Sequence, residues 1–107
     1  MPVTHLPADA KSDEVFEALK RDGCVVLDRV LDRKTIDEVQ SEMAPYIEAT
    51  AKCTDKFDGF ETRRTGMLVT RSPKSREIIM HSTVLEVAGQ ALAHASSFQL
   101  HCTQIIG

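Results

Sequence analysis

Apolar residues recur at helical spacing in three stretches of the chain and alternate in one. Val15, Phe16 and Leu19 form the first stripe. Ser12 stands where a cap would, Asp13 and Glu14 follow at the positive end, and Lys20 and Arg21 sit at the negative end. Gly23 suits the left-handed residue that ends a helix. Cys24-Val25-Val26-Leu27 is a short β-branched run and reads as a strand. Asp32 is placed to cap a second helix, with Leu31 and Ile36 at staple spacing. Ile36, Val39, Met43, Tyr46 and Ile47 are its apolar stripe. Pro45 falls inside that stripe, which predicts a kink or a break near Met43.

Residues 51–62, AKCTDKFDGFET, have mixed polarity and read as a surface loop anchored by Phe57 and Phe60. Residues 65–70 read as a short strand or an extended connector. Ser72-Pro73 pairs a cap residue with a proline at the first helical position and opens a third helix. Thr83 and Glu86 have capping-box spacing for a fourth. Its apolar face is Val84, Leu85, Val87, Ala88, Ala91 and Leu92. Gly89 inside it costs about 1 kcal/mol against Ala, which predicts close packing on a neighbour.

The last stretch, SFQLHCTQIIG, alternates. Phe98, Leu100, Cys102, Gln104 and Ile106 share one face, and Gln99, His101, Thr103 and Ile105 the other. It reads as a half-buried or buried strand. The order is therefore helix, strand, helix, loop, helix, helix, strand. Two short strands far apart in sequence rarely make a stable sheet alone. The final strand fits a self-contained domain of this size least well.

The chain has 107 residues, one small domain's worth, with 27% charged and 42% hydrophobic residues and a net charge of −3. That balance gives no electrostatic reason to expect nucleic acid or an anionic membrane as a partner. No apolar run is long enough to cross a membrane. The opening MPVTHLPADAK has neither the basic nor the apolar region of a secretory signal, so a cytoplasmic setting is expected. Cys24, Cys53 and Cys102 are odd in number and lack CxxC spacing. They read as reduced thiols, with Cys24 and Cys102 as small hydrophobes in apolar runs.

The chemistry legible from residues alone is sparse. His5, His81, His94 and His101 form no HxD, HxE or HExxH pattern. His81 and His94 read as capping or linker residues, and His101 as a packed strand residue. His101 and Cys102 are neighbours on a strand and point to opposite faces. Neither GxSxG nor a glycine-rich phosphate loop is present. Arg63, Arg64, Arg71, Lys74 and Arg76 make a basic stretch, either a solvated face or a site for an anionic group. Gln104 is an amide inside an apolar strand, either a satisfied core amide or a pocket residue.

The marks TRRTGMLVTRSP, HSTVLEVAGQAL and FQLHCTQII, in that order, resemble the N-terminal region of bacterial members of the phytanoyl-CoA dioxygenase family. The earlier DGCVVLDRVLDRKTIDEVQSEM fits that family's opening. The resemblance runs from about Leu6 to the end. It implies an α+β fold: a mostly helical region over 8–95 leading into a barrel strand at 97–106. The double-stranded β-helix barrel itself, jelly-roll-like, is not in this sequence. It further implies Fe(II) and 2-oxoglutarate as cofactors of the complete enzyme and hydroxylation of a small-molecule C–H. The family's HxD motif, its second iron His and the Arg that pairs with 2-oxoglutarate match no residue here. Residues 1–107 are therefore expected to be a single N-terminal fragment, inactive alone, that binds no cofactor and has the missing barrel as its partner. Gln104 is the one substrate-pocket candidate carried over. The competing expectation is a non-enzymatic domain that pairs, with itself or another chain, through its terminal strand.

Overall fold

A computed structural model describes residues 2–107. The fold is α+β, with five helices and four three-residue strands among the described residues. The chain divides into two compact units.

The first unit holds the residues up to Asp32 together with Ile79–Phe98. Its strands β1 (His5–Pro7) and β2 (Val26–Asp28) pair in parallel, with Leu6 opposite Leu27. Between them runs α1 (Ser12–Asp22), and α5 (Ser82–Ala91) packs on it. Val15, Ala18 and Val87 are buried in this contact. Two polar links tie the helices further. Ser12 Oγ donates to Glu86, and Gln90 Nε2 donates to Asp13 Oδ1 at 2.9 Å.

Several local readings meet their structural outcome here. Gly23 ends α1 with φ 78°, in the left-handed region, as its position predicts. Ser12 is not the cap. Lys11 occupies that position without a side-chain bond, because Ser12 is engaged by Glu86. The same engagement explains why Thr83 and Glu86 form no capping box. His81 caps α5 instead, its Nδ1 accepting the Thr83 N–H at 3.3 Å. Gly89 does not mark a close approach, since a Cβ there would meet no atom within 4 Å. Cys24 is exposed rather than packed.

The second unit holds Arg33–Ile78 and Gln99–Gly107. Helix α2 (Arg33–Ala49) buries Val39 and Met43. It runs through Pro45 without a break. Pro45 and Ser41, whose carbonyl loses its partner, are both exposed, so water can satisfy the orphaned group. Strand β3 (Arg64–Gly66) pairs antiparallel with β4 (Gln104–Ile106), Thr65 facing Ile105. A short helix, α3 (Leu68–Arg71), follows Met67, which holds a left-handed φ of 61°. Then α4 (Ser75–Ile79) begins behind the expected Ser72-Pro73 signal. Ser72 Oγ accepts the Ser75 N–H at 3.1 Å, an N-cap contact.

The terminal strand is shorter than 97–106. No residue before Gln104 joins the ladder, and Phe98 and Leu100 are solvent-exposed, as are His101 and Cys102, which are not packed strand residues. The loop anchors also fail. Phe57 is 93% exposed and Phe60 60%, because Asp55 closes a tight turn that holds the tip outward. Its carbonyl accepts the Gly59 N–H at 2.9 Å and its Oδ1 accepts the Asp58 N–H at 2.6 Å. No helix of the described residues is long and apolar enough to cross a membrane.

Candidate functional site

The concave surface with charged groups lies in the second unit, where α2, the base of the 51–62 loop and the β3–β4 ladder meet. Its volume is about 430 Å³, within the range of small-ligand sites. Ile47 from α2 and Ile105 from β4 supply apolar walls. Lys52, Glu61, Arg63 and Thr65 supply the polar ones.

Local structure fixes each of these groups. Arg63 and Gly107 exchange both backbone bonds, at 2.7 and 3.1 Å, so the ladder continues one pair past β3 and β4. Cys53 N–H donates to the Thr62 carbonyl at 2.7 Å and closes the loop base. Lys52 and Glu61 form an ion pair across that base. Thr65 is 1% exposed, and its hydroxyl donates to Thr50 Oγ1 at 2.9 Å. Thr50 in turn donates to the Tyr46 carbonyl at 2.7 Å. The Thr65 hydroxyl therefore presents only its acceptor side to anything else.

Arg63 differs from its neighbours. Its Nε has no accessible surface and no hydrogen-bond partner among the described residues. An unsatisfied buried donor of a charged group costs about 1–3 kcal/mol or more, so this position is chemically unfilled. Lys52 and Glu61 neutralise each other, which leaves the guanidinium as the uncompensated charge of the cavity. Arg64 has an ion-pair neighbour, Asp58 Oδ1 at 3.3 Å, without hydrogen-bond alignment.

The basic stretch thus divides. Arg63 alone of the five lines the cavity. Arg71 stacks on the Tyr46 ring at 4.6 Å and donates to the Gly66 carbonyl at 3.4 Å. Arg76 donates to the Val69 carbonyl at 2.7 Å. Lys74 bridges Glu38 at 3.6 Å and Glu77 at 2.9 Å. The hydrogen bond to Glu77 holds its ammonium above the ordinary lysine value, with desolvation opposing and Glu38 adding to the rise. These three serve the packing of α2, α3 and α4.

Gln104 begins β4, exposed, and does not line the cavity; Ile105, on the other face, does. Lys52, Glu61 and Ile47 carried no sequence signal for a site. Their convergence depends on the loop closure and the ladder, neither of which has a motif. A second concavity, in the first unit, is almost wholly apolar and is walled by Val15, Leu19, Leu27, Val84, Val87 and Ala91.

No group of three or more His, Cys, Asp or Glu residues able to hold a metal ion occurs among the described residues. His5 Nδ1 instead meets Asp28 Oδ1 at 2.8 Å across β1 and β2. The donor set of the described residues does not fit an iron centre.

Among family models, none matches the chain. Among curated proteins, the dioxygenase swnH2 of Arthroderma benhamiae is 33% identical over 73 residues, covering 68% of this chain and 23% of its own. The dioxygenase FrzG of Cladobotryum sp is 32% identical over 90 residues, 71% of this chain and 29% of its own. The dioxygenase cnsJ of Penicillium expansum is 34% identical over 79 residues, 68% and 22%. The chain spans about a quarter of the length of the curated relatives it matches. Over most of its own length, it is similar to fungal dioxygenases.

Proposed function

We propose that this chain is the N-terminal region of a dioxygenase of the phytanoyl-CoA type, dependent on Fe(II) and 2-oxoglutarate. The observation that carries the reading is the match to several dioxygenases over some 70% of the chain and only about a quarter of theirs. The ordered marks from Thr62 to Ile106 support the narrower family. In this reading the iron ligands, the 2-oxoglutarate arginine and the barrel lie in the remainder of the enzyme. Residues 2–107 supply helices and the lead-in strand and are silent alone. The complete protein hydroxylates a C–H of a small molecule, and Gln104 belongs to its substrate pocket.

Metal titration tests the silence of the chain directly. Fe(II), or Co(II) as a spectroscopic surrogate, added to the purified 107-residue protein is expected to bind no tighter than to a denatured control. Stoichiometric binding at micromolar metal would sink the proposal. Reading the gene of origin beyond the codon for Gly107 tests the rest. An HxD motif in frame within roughly ten to twenty codons is the expected result, and its absence overturns it.

A further inference from the structure

The β3–β4 ladder has two faces with different inventories. Arg63, Thr65, Ile105 and Gly107 lie on the face that walls the cavity together with α2. Arg64, Gly66, Gln104 and Ile106 lie on the other face and contribute nothing to it. The cavity is therefore on the opposite side of the sheet from Gln104, separate from any pocket that Gln104 serves.

Charge inside the cavity is unbalanced. Lys52 and Glu61 cancel as a pair. Thr65 spends its hydroxyl proton on Thr50 and offers only lone pairs. Arg63 lines the cavity, yet no ion pair or side-chain hydrogen bond from any described residue reaches its guanidinium. Its Nε is closed off from solvent, so a ligand meets the two terminal nitrogens. That fork matches the two oxygens of a carboxylate.

Three features select among anions. One uncompensated guanidinium balances one negative charge, and a phosphate monoester carries nearly two at pH 7. The Glu61 carboxylate in the wall opposes a second charge on the ligand. Ile47 and Ile105 present hydrocarbon, so the body behind the carboxylate is apolar.

We infer that the cavity between α2 and the β3–β4 ladder is a carboxylate site: Arg63 holds one monoanionic carboxylate, and its short apolar body lies on Ile47 and Ile105. The carboxylate belongs to a free small acid or to an Asp or Glu side chain in the remainder of the enzyme, and the chemistry is the same. Only the second source rests on the dioxygenase reading, and failure of the inference leaves that reading standing.

The test is isovalerate titrated into the isotope-labelled 107-residue chain and into the full-length gene product, followed at the Arg63 Nε–H resonance. In the 107-residue chain the expected Kd is on the order of a millimolar. Arg63→Gln should weaken binding at least about tenfold, and Arg76→Gln, outside the cavity, should leave it unchanged. Glutarate at matched ionic strength should bind more weakly than isovalerate. A response in both proteins identifies a free acid. A response in the shorter chain alone, with the full-length resonance already at the acid-bound position, identifies a side-chain carboxylate. Four results overturn the inference: no response in the shorter chain, undiminished binding by Arg63→Gln, tighter binding of glutarate, or a full-length resonance neither responsive nor displaced. Arg63→Gln keeps the backbone bonds to Gly107 and has no partner to lose. Its urea midpoint should therefore stay at or above the parent's. A fall would show the guanidinium already paired and overturns the inference as well.

Discussion

Asp22 sits in the last turn of α1, where the helix dipole disfavours a carboxylate. It is held there by neighbours. Arg21 Nη2 donates to its Oδ2 at 3.0 Å, Arg21 Nε to its Oδ1 at 3.1 Å, and Thr4 Oγ1 to its Oδ2 at 2.8 Å. The hydrogen bond from Arg21, then that from Thr4, holds its carboxyl below the usual aspartate range. A depressed carboxyl stabilises the folded chain while it is ionised. The contribution is complete above the ordinary aspartate value of about 4 and fades as pH falls through the lower folded value. Asp22→Asn should thus unfold more easily than the parent at pH 7, and the gap should narrow as urea titrations are repeated toward pH 3. A gap that stays constant would contradict this account. Gly89 gives the opposite sign. It lies within α5 with open space where a Cβ would go, so Gly89→Ala should raise stability by about 0.5–1 kcal/mol in the same titration.

Among the elements, α4 is short and depends on its first turn. Ser72 is fully buried and its Oγ accepts the Ser75 N–H, while Ser75 Oγ donates to the Ser72 carbonyl at 2.7 Å. Ser72→Ala leaves that N–H without its side-chain acceptor and should cost about 1–2 kcal/mol, read as faster amide exchange in α4 before any change in α2. This start was legible because its cause is local: a cap residue followed directly by a proline. Helix α2 was legible from the stripe Ile36, Val39, Met43 and Ile47. What escaped has non-local or unmarked causes. Strand β1 is three residues long, too short for a period, and exists through a parallel partner some twenty residues on. The box at Thr83 lost Glu86 to Ser12, a residue 74 positions earlier. Helix α3 follows a left-handed Met67, a conformation that sequence rarely signals for a side chain of that size. The cavity was half legible. Arg63 stood in a visible basic stretch, but only the ladder with Gly107 separates it from Arg71 and Lys74.

For the molecule as a whole, the informative ratio is between what is buried and what is not. The buried hydrophobics among the described residues are Val15, Ala18, Val39, Met43 and Val87. Large apolar side chains left exposed include Phe57, Phe60, Met80, Phe98, Leu100 and Ile106. A chain near 100 residues carries only several kcal/mol of net stability even with a well-filled core. Stability in the second unit therefore concentrates in few side chains, and Met43 is the fully buried one among its hydrophobics. Truncating a buried methionine to alanine removes about 2–5 kcal/mol, because transfer and cavity losses add. Met43→Ala should accordingly abolish or nearly abolish the cooperative urea transition of α2 and the β3–β4 ladder. A rise in fluorescence of an apolar-surface dye would accompany it. Phe57→Ser, by contrast, removes a side chain with almost no contacts and should change stability by less than about 0.5 kcal/mol. If the two substitutions cost the same, the core described for this unit is wrong. If only Met43→Ala is severe, one methionine at the centre of α2 decides whether the cavity and the ladder beside Arg63 exist at all.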